Sequence, residues 1–75
     1  DLIEMEIDTE TITLDNFLKW SGLVETGGQA KMAAQLGQVM VNGKVEKRRS
    51  RTIKEGDIIE YQGSVMIVKQ AGQEV

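Results

Sequence analysis

Between residues 39 and 45 the chain reads Val-Met-Val-Asn-Gly-Lys-Val, and this run constrains the fold more than any other. Asn42 and Gly43 both tolerate the positive φ that a tight hairpin turn demands, and β-branched residues flank them. The chain must reverse here. A strict two-residue turn sets Val41 opposite Lys44, whereas a three-residue loop or a bulge would set it opposite Val45; the sequence leaves both registers open. Beyond the turn, Ile58-Ile59-Glu60-Tyr61 and Val65-Met66-Ile67-Val68 read as strands joined through Gln62-Gly63, and Glu55-Gly56-Asp57 reads as a turn.

Ahead of the hairpin the pattern is helical. Leu14, Phe17 and Leu18 recur at the spacing of one helix face. Thr13 stands at the N-cap, with Ile12 and Phe17 placed to form a hydrophobic staple, and Gly22 can close the helix in a left-handed conformation. The second helix is better marked: Thr26-Gly27-Gly28-Gln29 has the capping-box pattern, and Gly37 is a stop. Ala30, Met32, Ala33, Ala34, Leu36 and Gly37 share a broad arc that reads as a core face, the alanines allowing close approach of a neighbour. The opening Leu2-Ile3-Glu4-Met5-Glu6-Ile7 suits a strand with one wet face. The tail after Gln70 is expected to fray.

The 75 residues make one domain, 1–75, and with no cysteine it must fold on its apolar core alone. No apolar run is long enough for a membrane helix, and no signal-peptide pattern is present, so a cytoplasmic location is expected. The chain opens at Asp1 rather than at a methionine, which fits trimming or excision from a longer protein.

Net charge is -3, but its distribution matters more. Residues 1–15 carry -6, residues 16–54 carry +6, and residues 55–75 carry -3. The middle of the chain is where a polyanion would dock.

Catalysis finds little support. The chain has no His and no Cys, the commonest general base and the strongest nucleophile. Glu4, Glu6 and Asp8 sit on what reads as an exposed strand, where simple solvation accounts for them. Neither an enzyme, a metal site nor a cofactor is expected, and no small-molecule substrate.

Two constellations fit phosphate instead. Gly27 and Gly28 open the second helix, where backbone N–H groups lack partners and no Cβ keeps an anion away. Lys31, one turn on, adds charge from the same side. The spacing is not that of a Walker A loop, and the plainer account is a tight helix entry closed by Thr26 and Gln29. The run Lys47-Arg48-Arg49-Ser50-Arg51, with Lys54 beyond and Lys44 at the hairpin, is the second constellation; its plainer account is a solvated basic loop. Trp20, after Lys19, and Tyr61 are both assigned to packing. With three aromatics in all, base stacking across a sheet, as in an RNA-recognition motif, is not expected.

Taken in order, Leu14 to Trp20, Thr26 to Lys31, Gly37 to Gly43, the pair Arg48-Arg49 and Glu55-Gly56-Asp57 resemble the S-four-type RNA-binding domain. This is the alpha-L motif of the ribosomal small-subunit protein S-four, found also in tyrosyl-tRNA synthetases and pseudouridine synthases. The resemblance covers about residues 11–69 and is nearest to the compact stand-alone bacterial form, with its Gly-Gly-x-Ala-Lys and paired arginines. It implies an α+β fold of two short helices on a small, bent, mostly antiparallel sheet, binding structured RNA across the second helix and the hairpin. By position it implies that Thr26, Gly27, Gly28 and Gln29 face phosphate, that Lys31 lines the helix, and that Asn42, Gly43 and Lys44 form a contacting turn. Many such domains carry Ser-Arg where this chain has Gly27-Gly28, so one arginine contact of the family is missing here.

The function expected is a non-enzymatic, monomeric module binding ribosomal or transfer RNA through Lys19, Lys31, Lys44, Lys47, Arg48, Arg49, Arg51 and the helix entry. A protein-interaction adaptor and the targeting domain of a longer RNA-modifying enzyme are the alternatives. The expectation needs the mid-chain cations to gather beside the amides that open the second helix.

Overall fold

A computed structural model describes residues 2–71. In chain order it has β1 (Leu2–Ile7), β2 (Thr11–Thr13), α1 (Leu14–Trp20), α2 (Gly27–Gln35), β3 (Val39–Val41), β4 (Lys44–Val45), β5 (Thr52–Lys54), β6 (Ile58–Tyr61) and β7 (Ser64–Gln70). Five strands form one sheet in the order β1-β7-β6-β3-β4, and β2 pairs with β5 in a small second sheet. All pairings are antiparallel except β1 with β7. This is the α+β arrangement of two helices on a mostly antiparallel sheet. No described helix is long and apolar enough to cross a membrane.

Local chemistry accounts for the turns. Asn42 (φ 54°) and Gly43 (φ 85°) pair Val41 with Lys44, so the two-residue register holds and the valines are not opposed. Gln62 (φ 52°) and Gly63 (φ 83°) repeat the device between β6 and β7. Gly22 and Gly37 close the two helices in the left-handed region. In each helix the amides of the last two capping positions bond back to carbonyls in the final turn, Gly22 to Lys19 and Leu23 to Leu18, Gly37 to Ala34 and Gln38 to Ala33.

The core lies between the helices and the sheet. Leu14, Phe17 and Leu18 from α1 meet Ala30 and Ala33 of α2, Val39 and Val41 of β3, Ile59 of β6, and Met66 and Val68 of β7. Ile12 packs against this cluster from the staple position. Tyr61 is buried, as expected.

Three expectations are corrected. Thr13 occupies the N-cap of α1, yet its hydroxyl caps no amide: it donates to Asp15 Oδ1 (2.6 Å) and accepts from Asn16 Nδ2 (2.8 Å). Instead, Arg51 and Arg49 carbonyls accept from the Leu14 and Asp15 amides at 2.8 and 2.9 Å, docking the basic segment on this helix start. Met32 and Leu36 are exposed, not core. The arc they were grouped in spans about 200°, wider than one packed face, and only Ala30, Ala33 and Ala34 lie against a neighbour. Trp20 is also outside, half-exposed; it sits about 110° round the helix from the centre of the Leu14-Phe17-Leu18 stripe. The fraying expected after Gln70 falls largely on residues 72–75, outside the described residues; Ala71 still donates to the Ile7 carbonyl at 2.7 Å.

Candidate functional site

The entry to α2 is built as the sequence indicates. Thr26 Oγ1 accepts from the Gln29 amide (3.1 Å), and Gln29 Oε1 accepts from the Glu25 and Thr26 amides (2.6 and 3.2 Å). The box satisfies those three donors and leaves the amides of Gly27 and Gly28, first and second in the helix, open to an outside acceptor. Neither glycine has a positive φ, and added Cβ atoms would meet nothing closer than 3.8 Å. Close approach of an anion, not backbone strain, is therefore the property that glycine supplies here. The Lys19 ammonium lies 4.0 Å from where a Gly27 Cβ would stand, so α1 lends a cation to the start of α2.

Lys47 is elsewhere. Its Cε lies 3.6 Å from the Cβ position of Gly37, beside Val45, at the exit of α2. A nine-residue helix is roughly 13 Å long, so Lys19 and Lys47 mark its two ends, with exposed Lys31 between them. The mid-chain cations thus do not crowd the helix entry as expected: Lys19, Lys31 and Lys47 are spread along α2, Lys44 lies on the hairpin, and the segment of Arg49 and Arg51 docks at the start of α1.

The basic run divides into residues that pair with Glu46, namely Arg48 and Arg51, and residues that do not. The Glu46 carboxylate is almost wholly buried and accepts from Arg51 Nη1 (2.8 Å), Arg48 Nε (3.1 Å) and the Arg48 amide (3.1 Å). These hydrogen bonds, Arg48 first, hold its pKa down to about 2. Arg48 keeps most of its surface in water while Arg51 is two-thirds covered. Glu46 therefore shapes the loop by fixing two guanidinium groups. Lys54 approaches the buried Asp57 at 3.9 Å. Lys19, Lys31, Lys44, Lys47 and Arg49 make no ion pair among the described residues.

Asn42 is used internally. Its Nδ2 donates to Asp57 Oδ1 (3.1 Å), and its Oδ1 accepts from the Ile58 amide (2.9 Å). Asp57 also accepts from the Lys54 amide through Oδ2 (3.0 Å). The pair ties the hairpin tip to the start of β6, while Asn42, Gly43 and Lys44 all remain exposed.

The two edges of the main sheet differ in charge, although Lys69 of β7 lies beside Glu6 and Glu60 is on β6. Glu4 and Glu6 lie on β1 at one edge, and Lys44 lies on β4 at the other. Four strand spacings separate them, roughly 19 Å. Every buried side-chain polar atom among the described residues has a partner, and no three His, Cys, Asp or Glu residues gather there in a metal-holding group. A cavity of about 750 Å³, open to solvent, lies between α1 and the small sheet. Lys19, Trp20, Asn16, Asp8, Thr11 and Thr52 are among its lining.

A family model described as "S4 domain" matches residues 5–69. Over 59 residues the chain is 41% identical to the "Probable ribosome maturation protein RlbA" of Bacillus subtilis (strain 168), which spans 79% of this chain and 83% of the relative. Over 58 residues it is 41% identical to the "Putative RNA-binding protein YbcJ" of Escherichia coli (strain K12), spanning 76% of this chain and 83% of the relative.

Proposed function

We propose, since this chain belongs to the S4 domain family, that it is a non-enzymatic RNA-binding module acting as a monomer on structured RNA, ribosomal RNA first and transfer RNA second. The observation that carries this is the set of cations without ion pairs among the described residues, Lys19, Lys31, Lys44, Lys47 and Arg49, of which Lys44 lies at the sheet edge opposite the acids of β1. The open amides of Gly27 and Gly28 extend that set with uncharged donors. Such a surface meets a phosphate backbone through charge and N–H groups, while the fold's shape selects the RNA. The names of the two relatives, one a ribosome maturation protein and one an RNA-binding protein, point the same way. A cytoplasmic location follows from that role.

Neutralising about five phosphates gives a slope of log K against log salt of roughly -3.5 to -4.5. The test is a salt series with a structured ribosomal RNA fragment, comparing wild type with the triple variant Lys44→Gln, Lys47→Gln, Arg49→Gln. The slope should become shallower by roughly 2–3 while thermal stability is kept, because none of the three is in an ion pair. Arg48 and Arg51 are avoided because their loss would strand Glu46. A flat salt response, or protein partners that survive nuclease treatment while no RNA is retained, would move the function to a protein adaptor.

A further inference from the structure

The cleft between α1 and the small sheet shares only Lys19 with the cations proposed to meet phosphate. Its most informative residue is Trp20, which is 50% exposed. Indole is the most costly side chain to leave in water, and the fold does more than tolerate it here. Trp20 Nε1 donates to the Glu6 carbonyl at 2.7 Å, which pins the ring by its edge to β1. A ring held by this bond has part of its rotamer freedom restricted before anything arrives. The space beside it, about 750 Å³, lies within the range of ligand clefts.

The lining discriminates between occupants. Asp8 on the cleft disfavours a bare phosphate but offers an acceptor to an exocyclic amino group, and the hydroxyls of Thr11 and Thr52 supply further polar partners. Lys19 lines the same cleft and also stands beside Gly27 at the entry to α2. It is therefore shared between the cleft and the phosphate-facing helix start. A ligand with a flat, amino-bearing ring and a phosphate attached to it matches that order of groups.

We infer that Trp20 is the stacking platform of a nucleobase subsite, which takes a single unpaired purine extruded from an RNA helix while Lys19 holds its phosphate toward Gly27. The subsite rests on the RNA-binding reading and deepens it, because it gives the module a way to prefer helices with a bulge over fully paired ones. Base–aromatic stacking is sequence-tolerant and strong enough to do so.

The test uses the full chain and two RNA hairpins of identical stem, one fully paired and one carrying an unpaired adenosine. Wild type should bind the bulged hairpin about ten-fold more tightly, the factor that roughly 1.4 kcal/mol of stacking gives. Because Trp20 is the sole tryptophan, its fluorescence should be quenched by the bulged hairpin and not by the paired one. Trp20→Leu should erase the preference yet keep affinity for the paired hairpin, and Trp20→Phe, which keeps a ring without the indole N–H, should retain most of it. Equal binding of the two hairpins by wild type would overturn the subsite while leaving the RNA-binding reading in place. A Trp20→Phe variant that loses the preference as fully as Trp20→Leu would also overturn it, showing Trp20 to be only an anchor on the Glu6 carbonyl. If neither hairpin binds, the RNA-binding reading fails and the subsite fails with it.

Discussion

Replacing Glu46 by Gln keeps the shape of the side chain and removes its charge. In the wild type the carboxylate accepts four hydrogen bonds from Arg48 and Arg51 with only 10% of the side chain exposed. A pKa of about 2 in place of 4.5 corresponds to at most about 3.4 kcal/mol of stability at neutral pH. Both arginines reach solvent, which screens the pair, so about 1–2 kcal/mol is the expected loss. For a domain of this size that lowers Tm by roughly 5–15 °C. The pH dependence carries the sharper signature. The folded state depresses this carboxyl, so its contribution is complete above about pH 4.5, the unfolded value, and is lost as pH falls toward 2. Urea unfolding of both proteins, followed by far-UV circular dichroism from pH 7 to pH 2, measures it. The other carboxylates titrate in both proteins, so the difference between wild type and variant isolates Glu46. That difference should be about 1–2 kcal/mol at pH 7 and close to zero at pH 2. A difference that stays constant with pH, or a variant as stable as wild type at pH 7, would refute the account of Glu46 as the organiser of the basic loop.

Gly27→Ala and Gly28→Ala should each raise stability slightly, by about 0.5–1 kcal/mol at most, because helix propensity improves and no neighbour is closer than 3.8 Å. If close phosphate approach is their role, RNA affinity should fall in the same variants, a pairing of opposite signs that filter binding and thermal melts together would reveal. Asn42→Ala should cost about 1–3 kcal/mol by removing the bonds to Asp57 and Ile58, with little change in the salt slope of RNA binding. Ala33→Leu, placed where α2 lies against the core, should cost about 1–3 kcal/mol through overpacking, read as a lower urea midpoint at unchanged m.

Much of the fold was legible because it is specified locally. The capping box at Thr26 and Gln29, the left-handed stops at Gly22 and Gly37, and the Asn42-Gly43 and Gln62-Gly63 turns each depend on a few adjacent residues, whose steric and hydrogen-bonding preferences act before any distant contact forms. The apolar stripe of α1 and the last two strands, β6 and β7, are of the same kind. So is the separation of charge along the chain, which pointed to Lys44, Lys47 and Arg49 as candidates for a polyanion surface.

What the tertiary structure alone decided involves residues far apart in sequence. The parallel pairing of Leu2–Ile7 with residues 65–70 has no turn to announce it, and the β2–β5 pair is too short for alternation to register. Glu46 reads as polar in every local window, yet two arginines that satisfy its carboxylate make its burial tolerable. Trp20, apolar by composition, stays outside because α1 has room for one buried stripe and β1 offers its indole a carbonyl at the rim. A single sequence carries the intrinsic preference of each side chain. Which preferences prevail at the surface and in the core depends on the competition for a limited number of buried places, and that competition is settled only when all the elements are packed together.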